Sequence, residues 1–323
     1  MGVLGIFMSR SDNPEGSVST DTSHFDATIC DFAWYTPYGN GTYGYRTHVF
    51  SHEPAAGDIT WYHWATQGNT QGAADDGWEH QILDAMGRAI VVIEFANGTY
   101  ALQIYGATTT TGAYSATTWP SALTRMDMSI DMSAGGITIN LYLDGSGTAA
   151  VTHTNADAGT RTKPVTINLR NLDTDHVYTS ELYVADFDTR DTRPVKQMPD
   201  AVGNYTDWLG GYSELGDEEV MTCADGVANG DKVSVNVATY GGPATPAGIK
   251  SVVLKSVVSK GATGPQNVDP FVRIAGTDYS AGSITPEDAP LAEYAEWLTN
   301  PNTAVDWVVA DLDSTEIGLE VKT

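Results

Sequence analysis

Residues 89–105, AIVVIEFANGTYALQIY, decide the fold class. Ile90, Val91, Val92, Ile93 and Phe95 form a β-branched and aromatic run, Asn97-Gly98 interrupts it, and Tyr100, Leu102 and Ile104 resume with period two. Asn-Gly suits a two-residue turn whose central positions both need positive φ, so the stretch predicts an antiparallel hairpin. Downstream, Met126, Met128, Ile130 and Met132 alternate with Asp127, Ser129 and Asp131, and Ile137, Ile139, Leu141 and Leu143 alternate again after Ala134-Gly135-Gly136. Such alternation marks half-buried strands. Asp144-Gly145 supplies a further turn, and residues 148–153, Val165 to Leu169 and Tyr178 to Asp186 add more strands. With no amphipathic helix between them, the pattern predicts an all-β jelly-roll sandwich built by antiparallel pairing.

At 323 residues the chain is long for one core, and about 150 residues per domain predicts two. Arg193-Pro194, Met198-Pro199 and Gly210-Gly211 break the strand pattern. The expected division is a sandwich over 1–195, a linker over 196–211 and a smaller β-sandwich attachment module over 212–323. In the latter, Val233, Val235 and Val237 alternate, Ile249 to Val258 is Val-rich, and Ile317, Leu319 and Val321 alternate with charges. Thr285-Pro286-Glu287-Asp288 resembles a helix start while Pro290 opposes a regular helix, so Leu291 to Leu298 reads as a strand or an irregular segment, and Val305 to Leu312 reads as a short helical turn.

Asp plus Glu number 41 against 16 Lys plus Arg, a formal charge of −25. Nucleic-acid binding needs a basic stripe that releases counterions, and anionic membranes repel the same surface, so neither partner is expected. No apolar run reaches the roughly 18 residues of a membrane span, and Met1 to Arg10 lacks the basic n-region of a signal peptide. Delivery outside a cell would then proceed by lysis or assembly. Cys30 and Cys223 fall in different expected domains, which gives neither a disulfide framework nor a zinc site.

Catalytic signatures are missing from the reading. A sandwich glycosidase needs two carboxylates on neighbouring inward positions, and Asp127 with Asp131 reads instead as the solvated face of a Met-rich strand. His48 and His52 sit about 13 Å apart if extended, so with His63 they read as isolated histidines. No nucleophile elbow, phosphate loop or dinucleotide fingerprint occurs. Asp186, Asp188 and Asp191 are interleaved with Arg190 and Arg193. Asp186 and Asp188 are weak calcium candidates, but a bidentate arginine–carboxylate lock pinning the strand end to the linker is the plainer reading, so no cofactor is expected. Trp61, Trp64, Trp78 and Trp119, with Tyr35 and Tyr38, concentrate rings in the first domain and form the candidate glycan or interface residues; such rings also fill cores.

The run YTSELYVADFDTR at 178–190, followed by Asn204 to Gly210, resembles tailed-phage virion proteins that carry a concanavalin A or laminin G-like sandwich. Residues 297–303 (WLTNPNT), Trp307, Ala310-Asp311-Leu312 and 316–319 (EIGL) resemble the ending of many such proteins. Residues 1–72 match nothing in that pattern. The resemblance implies a structural protein of the virion exterior, tail-associated as a fibre, spike or minor tail protein. Its implied partners are other virion proteins and a host-surface polysaccharide, and the implied assembly is a homo-oligomer, with a trimer favoured. Two other functions compete with it: a head decoration protein that cements the capsid, and a polysaccharide depolymerase.

Overall fold

The computed structural model describes residues 2–7, 19–21, 25, 33–36, 44–49, 54, 59–69, 77–96, 99–115, 121–171, 176–215, 223–243 and 245–323. The chain forms two compact units, one ending at Pro194 and the other running from Val195 to Thr323. Both are built almost wholly of antiparallel strands, as the period-two pattern requires.

The first unit contains β1 (Val3–Ile6), β2 (Ser19–Asp21), β3 (Ala33–Thr36), β4 (Gly44–Val49), β5 (Ile59–Asn69), β6 (Gly77–Asp84) and β7 (Ala89–Ala96). It continues through β8 (Thr99–Tyr105), β9 (Thr109–Thr111), β10 (Thr124–Asp131), β11 (Ile137–Leu143), β12 (Val151–Asn155), β13 (Pro164–Asn171) and β14 (His176–Ala185). One sheet has the order β12-β11-β10-β5-β14-β3-β2, with β1 added beside β14; the second has the order β4-β13-β6-β7-β8-β9. The hairpin expected from residues 89–105 is β7–β8, with Ala96 opposite Thr99. At the β11–β12 turn Asp144 and Gly145 both have positive φ and the Ser146 amide donates to the Leu143 carbonyl, so the Asp-Gly pair does there what its sequence predicts.

The two sheets bury one continuous core between them. Tyr62, Trp64, Met126, Met128, Ile130, Ile139 and Leu141 come from the first sheet, and Ile82, Val91, Ile93, Leu102, Ile104 and Ile167 from the second. Register explains the selection: Trp64 lies opposite Met126 and Tyr62 opposite Met128, so alternate residues of β5 and β10 share the inner face.

The second unit contains β15 (Pro199–Thr206), α1 (Tyr212–Leu215), β16 (Lys232–Val237), β17 (Val252–Val258), β18 (Asn267–Ile274), β19 (Thr277–Ser280), β20 (Leu291–Trp297), α2 (Val309–Leu312) and β21 (Glu316–Lys322). A sheet ordered β15-β16-β21-β18-β19 faces the β17–β20 ribbon. Val272, Ile274, Ala295, Trp297, Trp307 and Leu312 fill the space between these layers, and the Trp307 indole N–H donates to the Trp297 carbonyl at 2.9 Å. The extended segment expected at 291–298 is β20, and the expected helical turn is α2. The expected linker over 196–211 needs correction, because β15 lies inside it and pairs with β16. As an edge strand with register shifts it buries little, so it carries no apolar alternation in sequence. Neither four-residue helix of the described residues is long enough to cross a membrane.

Candidate functional site

The alternation that sends Tyr62 and Trp64 inward turns Trp61 and His63 to the outer face of the first sheet. Across four neighbouring strands Tyr142, Asp127, His63 and Tyr183 stand directly opposite one another in one row. Asn140, Ser129, Trp61 and Ala185 form the adjacent row. The segment after β14, residues 186–192, lies over these rows: Thr189 is fully buried and its hydroxyl donates to Asp127 Oδ1 at 2.7 Å.

His63 is 1% exposed and lies between two acids. Its Nδ1 is 2.8 Å from Asp127 Oδ1 and its Nε2 is 3.5 Å from Glu181 Oε2. Arg125 Nε donates to the same Glu181 oxygen at 3.4 Å. Glu181 occupies the bulge where the β14–β5 register shifts and holds φ +56°, a left-handed conformation uncommon for a side-chain-bearing residue. That bend points its carboxylate at the imidazole. Burial alone would lower the His63 pKa, but the bond to Asp127 and the proximity of Glu181 outweigh it and hold the pKa above the ordinary histidine value. Asp127 and Glu181 with His63 and Arg125 make a quartet of two acidic and two basic side chains. The Tyr183 phenol, paired with Thr192 Oγ1, is pushed up by burial.

Beside this closed group lies a layered surface. The Trp61 and Tyr142 rings stack at 5.8 Å with a 24° interplanar angle, and the Arg190 guanidinium sits 4.6 Å from the Tyr142 centroid and 5.3 Å from that of Trp61. Asp188 holds that guanidinium through both carboxylate oxygens. Trp61 is 8% exposed, while the Arg190 and Asp188 side chains are 25% and 46% exposed. Stacking and a bidentate bond together fix the guanidinium plane.

Several sequence expectations change here. Asp127 is not on a solvated face: it is buried, because segment 186–192 covers a face that strand alternation alone would leave wet. His63 is not isolated, since pairing across β5, β10 and β14 brings two acids to it. Trp64 is a core residue with no exposed surface, its ring 4.5 Å from that of His80, and so it cannot contact a ligand on the surface. Trp61 remains at the outer face, joined by Tyr142 and Arg190, which composition alone did not single out. Tyr35 lies in β3 and Trp78 in β6, but their side chains, together with Tyr38 and Trp119, lie outside the described residues. The same holds for the His48 side chain, for His52 and for Cys30; Cys223 is an exposed free thiol. The arginine–carboxylate lock is present as Asp188–Arg190, but it seats the segment on Trp61 and Tyr142 and does not tie it to a linker. Asp186 accepts the Gly2 amide instead. Among the described residues no group of acids, histidines or cysteines is arranged to hold a metal ion.

No protein-family model matches the chain, and no curated protein matches it. Solved structures with a similar course of the chain include the cellulose-induced protein Cip1, 14% identical over 54% of this chain and 88% of that one, with a TM-score of 0.41. Another is the binding domain of botulinum neurotoxin serotype D/C, 8% identical over 95% of this chain and 77% of that one, with a TM-score of 0.40. A third is a family 7 alginate lyase, 11% identical over 48% of this chain and 79% of that one, with a TM-score of 0.35. At these identities and scores the likeness transfers neither residues nor activity.

Proposed function

We propose that this chain is a binding and assembly protein of a phage particle's exterior, tail-associated, whose first unit contacts a host-surface glycan through the Trp61–Tyr142–Arg190 surface. The observation that carries the glycan part is that surface itself: a planar stack with a half-exposed Asp188 beside it. The accessible members are the part-exposed Tyr142, Arg190 and Asp188, with Trp61 backing them; a sugar can lay a C–H face on the guanidinium and phenol planes and pair its hydroxyls with the charged groups. The virion setting rests on the resemblance of residues 178–190 and 297–319, and a homo-oligomer, with a trimer favoured, belongs to the same reading. Titration calorimetry of the full chain with purified host-surface polysaccharide tests the contact. Binding is expected, and Tyr142→Ala should weaken it about tenfold, the equivalent of one aromatic contact of roughly 1.4 kcal/mol. Absence of binding, or equal binding by the variant, removes the assignment. Antibody labelling of particles in the electron microscope tests the location, with label expected on the tail.

A second reading, polysaccharide depolymerase, draws on the Asp127–His63–Glu181 group. Two carboxylates and an imidazole are the groups general acid–base cleavage uses, but here all three are buried, with Thr189 bonded over Asp127. Release of reducing ends from host polysaccharide, lost in Glu181→Gln, would replace the binding reading with this one.

A further inference from the structure

We propose that His63 is the proton-operated catch of a latch, in which residues 186–192 close over the outer face of the first sheet while His63 is an imidazolium and lift from it when His63 loses its proton. The latch is built from contacts already named and three more. Thr189 reaches Asp127, Arg190 rests on Trp61 and Tyr142, and Thr192 pairs with Tyr183. The Thr192 amide also donates to the Thr189 carbonyl at 2.9 Å, which folds the segment into a turn at its buried point. Arg190 reaches the Gly147 carbonyl as well. The backbone at Arg190 passes so close to Gly145 that a Cβ there would lie 2.9 Å from the Arg190 carbonyl oxygen.

Geometry makes the catch depend on one proton. A carboxylate faces each ring nitrogen, so the doubly protonated ring donates toward both. Either neutral tautomer turns a lone pair toward one of them, at 2.8 Å from Asp127 or 3.5 Å from Glu181. Among the described residues, every charged or titratable group that faces the ring belongs to this balance. Asp127 and Arg125 come from β10, and Glu181 and Tyr183 from β14; Asp188 acts on Tyr183 from the latch itself. With Arg125 and the imidazolium the two acids are neutralised, whereas deprotonation leaves one uncompensated negative charge in a sealed layer. Such a charge is costly to keep from water, and the segment that carries Thr189 is what covers Asp127. Sign follows from the raised histidine: closure is complete below the ordinary histidine range and is lost as pH rises through the raised value.

The inference does not rest on glycan binding, since its readout needs no ligand. In the full chain, hydrogen exchange of the amides of 186–192 is followed from pH 5 to pH 10, normalised to the intrinsic amide rate at each pH, while the His63 ring is titrated by NMR in the same samples. Protection of 186–192 is expected to fall along the His63 titration curve, by about tenfold for each pKa unit by which closure raises His63, with β7 and β8 unchanged. His63→Gln should flatten the profile. If that variant does not fold, Thr189→Val, which keeps the quartet and cuts its bond to the segment, should show weaker protection and a shallower pH response. A segment whose protection ignores the titration, a His63 that never titrates in this range, or a Thr189→Val profile identical to wild type would each overturn the latch.

Discussion

Replacing Asp127 by alanine separates a buried charge network from a wet strand face. Asp127 is fully buried, and its Oδ1 accepts from both His63 and Thr189. Truncation removes both bonds and leaves Glu181 as the acid beside His63. Breaking one partner from a buried pair costs about 3–5 kcal/mol, because the surviving charge stays out of water. On a solvated face the same substitution would stay within about 0.5 kcal/mol. For a slope near 2.5 kcal/mol per molar urea, the larger cost lowers the midpoint of the first unit by roughly 1.2–2 M. The assay is urea unfolding of the full chain followed by exchange of the Ile90–Ile93 amides, which lie in the first core and so report that unit alone. A second reading of the same variant is the His63 ring titration, which should move down because its main hydrogen-bond partner is gone. A midpoint shift corresponding to less than about 1 kcal/mol would refute the buried network and restore the solvated-face reading.

Trp64→Ala should destabilise the first unit by about 3–5 kcal/mol through the cavity it leaves, with polysaccharide affinity unchanged in calorimetry below the melting transition. Gly318→Ala should cost the second unit about 1–3 kcal/mol in thermal unfolding, since the new Cβ would stand 2.4 Å from both Phe271 Cζ and the Val233 carbonyl oxygen. Burial would raise the Asp84 pKa, but the Arg88 bonds and the amides of Thr162 and Met86 outweigh it and hold it below the usual carboxylate value. Stability from Asp84 is therefore present above the ordinary carboxylate range and lost as pH falls through the lowered value; Asp84→Asn should flatten that acid limb in a pH series of denaturant midpoints. Gly145→Ala should raise exchange of residues 186–192 at every pH, because Gly145 has φ +71° and no room for a Cβ beneath Arg190.

The sequence by itself determined those strands whose signal is local, since β-branched runs, period-two alternation and Asn-Gly or Asp-Gly turns depend on neighbours a few residues apart; β1 to β6, β9, β18 and β19 were not read from it. It therefore identified β7–β8, β10, β11, β20 and α2, and the all-β class with them. β15 escaped it because an edge strand buries too little to need an apolar stripe. What only the tertiary structure decided is which polar residues of those strands meet. His63, Asp127 and Glu181 come from three strands separated by more than fifty residues of chain; strand pairing sets Asp127 opposite His63, and the bulge in β14 brings Glu181 to the other side of the ring. Alternation marked Asp127 as outward, and it is outward. Whether an outward position is wet depends on what crosses above it, and here a seven-residue segment, 186–192, with Thr189 at its centre does so. Tyr142 and Arg190 became visible as a surface for the same reason, since stacking is a relation between strands that no stretch of one chain records.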